Sequence, residues 1–222
     1  MDKKLNEFDF NRDTEYWNGY YSKNLAVTTP SPFALFVYEN YLTKNSTLLE
    51  LGCGNGRDSL FFHSNGIKIT AVDASNVAIN ELQKLRLPDA NFICGNFVDS
   101  KIIYSQKYNF CYARFSLHAI TEAQENILLN NVAQVLNQDK TGGGGKFFIE
   151  VRSVNDELYG KGEPVGKNSF IYNSHFRRFI DKKELENNLI AKNFRIDYSE
   201  ESSEFAPFGN DKPSVIRVIA QI

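Results

Sequence analysis

Cysteine is scarce in this chain of 222 residues: Cys53, Cys94 and Cys111 are its only three. An odd number with no C-x-x-C pair argues against a disulfide framework and against a cysteine zinc site. Histidine is as sparse. His63, His118 and His175 show none of the paired spacing of metal ligands, so no metal is expected. Neither sign of charge is in excess. A formal net charge of −2 predicts neither a nucleic-acid nor a membrane surface. Long apolar runs are missing too: the start, MDKKLNEFDF, has no apolar signal core, and no later stretch could span a bilayer. These absences lead to the expectation of a reduced, cytoplasmic protein with no membrane partner.

What is present is ample apolar material, 42% of residues with 14% aromatic, enough for one sizeable core in a chain of this length. Residues 1–29 mix charge with Phe8, Phe10, Tyr16, Trp17, Tyr20 and Tyr21. They read either as a leader packed on the domain surface or as a lid over a ligand. Pro30 and Pro32 then open a helical stretch, because proline is tolerated in a first turn, where its missing N–H would have no partner. From there strand-like and helix-like patterns alternate. TLLEL, IKITAVD, NFICG, YNFCYARF and GKFFIEVRS read as strands. RDSLFFHSNG, SNVAINELQKLRL (capped by Ser75 or Asn76) and TEAQENILLNNVAQVL (capped by Thr121) read as helices. Gly142 to Gly145 read as a flexible turn and nothing more.

Repeated strand–helix units predict a parallel sheet covered on both faces. After the helical DKKELENNLIAKNF come two last strands, FRIDYSEES and SVIRVIAQI. The loop between them is too short for a crossover helix, so they are expected to pair antiparallel. The expected fold is therefore α/β and Rossmann-like: a doubly wound, mostly parallel seven-stranded sheet with an antiparallel C-terminal strand. The stretch from Arg152 to Phe179 fits neither period, and a long irregular segment inside a compact domain is often a binding loop. The domain thus spans 30–222, with a substrate-loop insertion at about 152–180.

The densest motif is LLELGCGNGRDS, residues 48–59. It is a strand, a turn with Gly52, Gly54 and Gly56, and a helix start. Glycine is needed where φ is positive or where backbone approaches a ligand, and a helix start offers free N–H groups. The third glycine of the dinucleotide fingerprint G-x-G-x-x-G lies one residue later than here, and no Gly-Lys-Ser/Thr follows as a phosphate loop requires. Asp73 ends the next strand, where a carboxylate can accept both hydroxyls of a ribose.

In this order, ELGCGNGRDS, AVDAS, CGNFVD and YNFCYARFSLHAI make the chain resemble the class I S-adenosylmethionine-dependent methyltransferases over roughly residues 30 to 222. The resemblance implies S-adenosylmethionine as cofactor, with S-adenosylhomocysteine as product. It implies that Gly52, Gly54 and Gly56 hug the amino-acid end of the cofactor and that Glu50 orders the loop or holds the methionine end. Asp73 would take the ribose, Ala74 the adenine, Asn96 the adenine amino group and Phe97 its face. The family often has Asp at the Asn96 position, though Asn can still accept through its side-chain oxygen. Arg114 and Phe115 would lie next to the sulfonium. The N-terminal segment often covers the cofactor in this family, which would place Tyr16, Trp17 and Tyr21 over it.

The methyl acceptor is read from ARFSLHAI and from the 152–180 segment. The chain lacks the Asn/Asp-Pro-Pro-aromatic motif common in nucleic-acid amino methyltransferases, so no nucleic acid is expected. Arg114, His118, Arg152 and the HFRRF loop with His175, Arg177 and Arg178 follow strand ends on the ligand side, Tyr159 and Tyr172 lie in the same segment, and arginine forks match carboxylate and phosphate oxygens. His118 or His175 is the candidate base, with Arg114 as a further catalytic candidate. Each has a plainer alternative: Arg114 in a structural ion pair, His118 as a satisfied helix-start residue, Arg177 and Arg178 on a solvated face. The expected function is methyl transfer to a small, polar, anionic metabolite or sugar-type acceptor, with O-methylation favoured, by a monomer or homodimer. The alternatives are a non-catalytic S-adenosylmethionine-binding module and, opposed by the glycine spacing, an NAD-dependent oxidoreductase.

Overall fold

The computed structural model describes residues 10–23, 29–138, 143–207, 209 and 211–222. Seven strands form the main sheet: β1 (Thr47–Leu51), β2 (Lys68–Asp73), β3 (Ala90–Cys94), β4 (Phe110–Arg114), β5 (Lys146–Arg152), β9 (Arg195–Ser202) and β10 (Val215–Gln221). Their order is β3-β2-β1-β4-β5-β10-β9. All pairs from β3 to β5 are parallel, and β10 runs antiparallel to both β5 and β9. The chain reverses direction across the sheet between β1 and β4, and ligands of open α/β sheets bind beyond the strand ends at such a switch.

Strand alternation builds two apolar layers. Leu49, Leu51, Cys111, Ala113, Phe147 and Ile149 face α5 (Glu122–Val135) and α6 (Lys182–Ile190), packing on Leu128, Val132 and Leu189. Leu48, Tyr112, Phe148 and Ile219 face the other way, onto α2 (Pro32–Tyr41), α3 (Arg57–Ser64) and α4 (Asn76–Lys84) through Phe33, Phe62 and Leu82. Each such side chain, fully withdrawn from water, stabilises by about 1.5–3 kcal/mol.

The helix starts follow their caps. Ser31 accepts from the Ala34 N–H with Pro32 in the first turn, and Ser75, not Asn76, caps α4. Thr121 and Gln124 form a reciprocal capping box on α5. Two expectations are corrected. Gly144 and Gly145 are not merely a flexible turn. Both are buried, the Gly145 N–H donates to Asn137 O and the Ile222 N–H to Gly145 O, and a side chain at Gly144 would collide with Ile222 O. Gly142 lies outside the described residues. The 152–180 segment is not irregular either: β6 (Glu163–Gly166), β7 (Ser169–Tyr172) and β8 (His175–Arg178) form an antiparallel three-stranded sheet of their own. Its strands have only four residues each, too few for a clear period, and its second hairpin turns through Asn173 and Ser174, both at positive φ. The dipeptide Asn173-Ser174 was the available signal. Of the N-terminal aromatics, Phe8 falls outside the described residues. The rest lie on α1 (Phe10–Lys23).

Candidate active site

The glycine turn closes β1 against β2 and β4. Gly52 and Cys53 both donate their N–H to Val72 O, and all three glycines have positive φ. A Cβ on Gly52 would lie 2.8 Å from Ser116 Cβ, so only glycine lets the β1 and β4 exits approach this closely. Gly56 is crowded by Leu82 and Gly54 by the Tyr21 hydroxyl. Asp73 ties this turn to α4: its two oxygens accept from the Gly54 and Ser75 N–H groups, each at 2.8 Å. Burial pushes its carboxyl above the usual range, and the two N–H donors pull it part of the way back. Glu50 accepts from Ser59 Oγ. Burial, followed by the nearby Asp58 carboxylate, raises its pKa well above normal.

Helix α1 docks over this turn. Asn18 Oδ1 accepts from Ser75 Oγ at 2.8 Å, at the start of α4. Tyr21 lies against Gly54, and burial with the Asp73 charge beside it raises its phenol pKa. Trp17 stacks on Tyr21 at 5.8 Å, and Tyr16 stacks on His175 of β8 at 4.4 Å. One helix thus touches both the glycine turn and the small sheet. Asn18 was missed because an asparagine amid aromatics carries no sequence signal for a contact 57 residues away. Gly54→Ala is expected to cost about 1–2 kcal/mol of stability through left-handed strain. It should also dislodge Tyr21 and shift the emission of Trp17, the chain's single tryptophan. An unchanged melting temperature and spectrum would contradict the packing of α1 on this turn.

At the exit of β4, Phe115 is held at a φ of 56°, costly for a bulky residue and a mark of functional sites. The Arg114 guanidinium lies 4.4 Å from its ring centroid and that of Arg152 5.8 Å. His118 follows in a short 3-10 turn and is buried. Burial and the surrounding Arg177, His175, Arg152 and Arg178 hold its pKa well below normal. Burial and Arg177 lower that of His175 to about 4. Buried Ser116 Oγ, His118 Nδ1 and Arg177 Nε have no hydrogen-bond partner among the described residues.

The expected site residues separate into groups. Glu50, the three glycines, Asp73, Tyr16, Trp17 and Tyr21 gather at the β1–β2 exit. Asn96 Oδ1 accepts from the Val98 N–H at 2.8 Å, and Phe97 comes within 3.8 Å of a Cβ built on Gly52. Ala74 O accepts a long contact from Cys94 Sγ at 3.7 Å. Arg114 takes its plainer alternative, an ion pair at 2.8 Å with Glu150, which also holds Arg217 at 2.7 Å. Arg152 is fixed by Asp156 at 2.8 Å and Asp211 at 2.7 Å. Arg178 does not join the others. Alternation along β8 sends His175 and Arg177 to one face and Phe176 and Arg178 to the other, where Arg178 binds Ile120 O at 3.0 Å and pairs with Glu125. Tyr172 and Phe170 pair across from His175 and Arg177. Tyr159 packs edge-on against Phe170 and Phe179 and donates to Asn168 Oδ1 at 3.0 Å. Among the described residues no cluster of metal ligands occurs and no helix is long and apolar enough to cross a membrane.

A parallel sheet with a glycine turn at the switch point and a carboxylate ending the second strand is the arrangement of a nucleoside-binding α/β fold. The comparisons make the class specific. Residues 48–139 match the family model for a methyltransferase domain. An S-adenosylmethionine-dependent methyltransferase from Methanosarcina mazei superposes with a TM-score of 0.69 at 21% identity, covering 83% of this chain and 96% of that one. The CcbJ methyltransferase from Streptomyces caelestis superposes with a TM-score of 0.68 at 13% identity, covering 96% and 99%. The 1,6-didemethyltoxoflavin-N1-methyltransferase of Burkholderia thailandensis, holding its substrate and S-adenosylhomocysteine, gives 0.64 at 18% identity, covering 96% and 85%. Residues 48–139 thus match a methyltransferase domain, and the fold is shared with S-adenosylmethionine-dependent methyltransferases. The residues here fit S-adenosylmethionine. Asp73 keeps lone pairs for two hydroxyls, and Ser116 Oγ is a buried polar atom without a partner beside Gly52, where no side chain would fit.

Proposed function

We propose that this protein methylates an oxygen of a small, polar, anionic metabolite or sugar-type acceptor held between the turn after β4 and the β6–β8 sheet. The observation that carries this reading is the pair of buried polar atoms without partners among the described residues, His118 Nδ1 and Arg177 Nε, on elements that meet beyond the β4 exit. Buried polar atoms are normally satisfied, so such a group marks where a ligand supplies the missing partners. The small-molecule substrate of the toxoflavin neighbour supports the size of acceptor.

S-adenosylmethionine supplies an activated methyl on sulfur when bound. Asp73 would take its ribose hydroxyls, Gly52 and Gly54 its amino-acid end, and Asn96, Ala74 and Phe97 its adenine. Helix α1 would exclude water through Tyr16, Trp17 and Tyr21. Alignment of the two reactants carries much of the acceleration. His118 would accept the hydroxyl proton at Nδ1. A low-pKa imidazole suffices, because a hydroxyl oxygen becomes strongly acidic once a C–O bond forms to it. His118→Asn is therefore expected to lower kcat by about 100-fold with S-adenosylhomocysteine affinity unchanged. The wild-type kcat should stay flat through the normal histidine pKa of about 6.5, since His118 titrates well below it. Incubation with S-adenosylmethionine and a panel of hydroxy acids and sugars, read as a mass gain of one CH2, tests the reaction. Failure of S-adenosylhomocysteine to bind would overturn it.

A further inference from the structure

Arg114, Arg152 and Arg177 approach the methyl-acceptor region, and carboxylates pair with the first two: Arg152 has both Asp156 and Asp211, and Arg114 shares Glu150 with Arg217. Arg178, on the other face of β8, pairs with Glu125. Arg177 has no carboxylate or hydrogen-bond partner among the described residues, and its Nε is buried. It lies on the β8 face that carries His175, next to the buried and unpartnered His118 Nδ1. Burial, followed by the nearby Arg152 charge, lowers the pKa of the guanidinium, and Tyr16, Asp156 and Asp211 pull the other way without pairing with it. His118 and His175 add no charge near neutral pH.

From this unpaired guanidinium, and resting on the methyltransferase reading above, we infer that the methyl acceptor is a hydroxylated monocarboxylic acid whose carboxylate pairs with Arg177. One guanidinium without an ion pair matches one carboxylate, and its planar fork matches the two oxygens. A phosphate monoester brings a charge near −2 at neutral pH, and the Asp156 and Asp211 carboxylates near Arg177 disfavour the second charge. A neutral sugar would leave Arg177 buried without a counter-ion.

The test uses full-length protein saturated with S-adenosylhomocysteine. Acetate, lactate, benzoate and 4-hydroxybenzoate are titrated calorimetrically against phenyl phosphate, inorganic phosphate and phenol. At least one carboxylate is expected to bind about tenfold or more tightly than every phosphate and phenol. Arg177→Gln should remove that preference, Arg177→Lys should keep part of it, and both should leave S-adenosylhomocysteine affinity unchanged. The inference is overturned if no carboxylate binds, if a phosphate binds as tightly, or if Arg177→Gln leaves the preference intact. A tenfold loss of S-adenosylhomocysteine affinity in Arg177→Gln would also overturn it, since the guanidinium would then serve the cofactor's own carboxylate. If the wild type fails to bind S-adenosylhomocysteine at all, the methyltransferase reading falls instead.

Discussion

Asp73→Ala is expected to weaken S-adenosylhomocysteine binding by about 100-fold, the loss of two hydrogen bonds to a charged group. Two effects act together. The proposed anchor of the ribose hydroxyls disappears, and the Gly54 and Ser75 N–H groups lose their acceptors. The glycine turn and the start of α4 would then be set by Ser75 capping and packing alone. Asp73→Asn should fall between wild type and alanine. It keeps one acceptor oxygen but turns an NH2 toward one of the two N–H donors. Calorimetry with S-adenosylhomocysteine measures the effect, and a thermal melt checks the fold. An Asp73→Ala affinity within threefold of wild type would remove Asp73 from the cofactor site.

Glu150→Ala is the largest expected loss of stability, about 3–5 kcal/mol and about 10 °C or more in melting temperature. Glu150 is buried, with one oxygen on Arg114 and the other on Arg217, and those three residues are register neighbours across β4, β5 and β10. Burial raises the pKa of its carboxyl despite both guanidiniums, so forming the triad is not itself strongly favourable. Breaking it is costly, because two guanidiniums stay in place without a counter-ion. Arg114 would also lose the hold that keeps it over the Phe115 ring. Glu150→Gln keeps an acceptor oxygen and should cost less. Chemical denaturation measures both, and a Glu150→Ala loss below about 1 kcal/mol would mean that the arginines relax to solvent.

Much of this was legible one residue after another. The apolar strands, the caps at Ser75 and Thr121 and the spacing of Gly52, Gly54 and Gly56 are local signals, carried within a few neighbouring residues. The acceptor side was not. Arg177 and Arg178 are adjacent and chemically alike, yet pleating sends one toward His175 and the other to Glu125. Which faces which depends on how β8 pairs with β7, and strands of four residues carry too little pattern to fix a register. Arg114 looked catalytic from its place at a strand end, but its partner lies 36 residues away on the next strand.

The sequence by itself determined the fold class and the glycine turn with its strand-end carboxylate, because glycine conformations, strand periods and one carboxylate at a strand end are short-range properties. Only the tertiary structure decided which charges cancel. Ion pairing depends on distances across strands and helices far apart in the chain, and of Arg114, Arg152, Arg177 and Arg178 those distances left Arg177 without a carboxylate ion pair among the described residues.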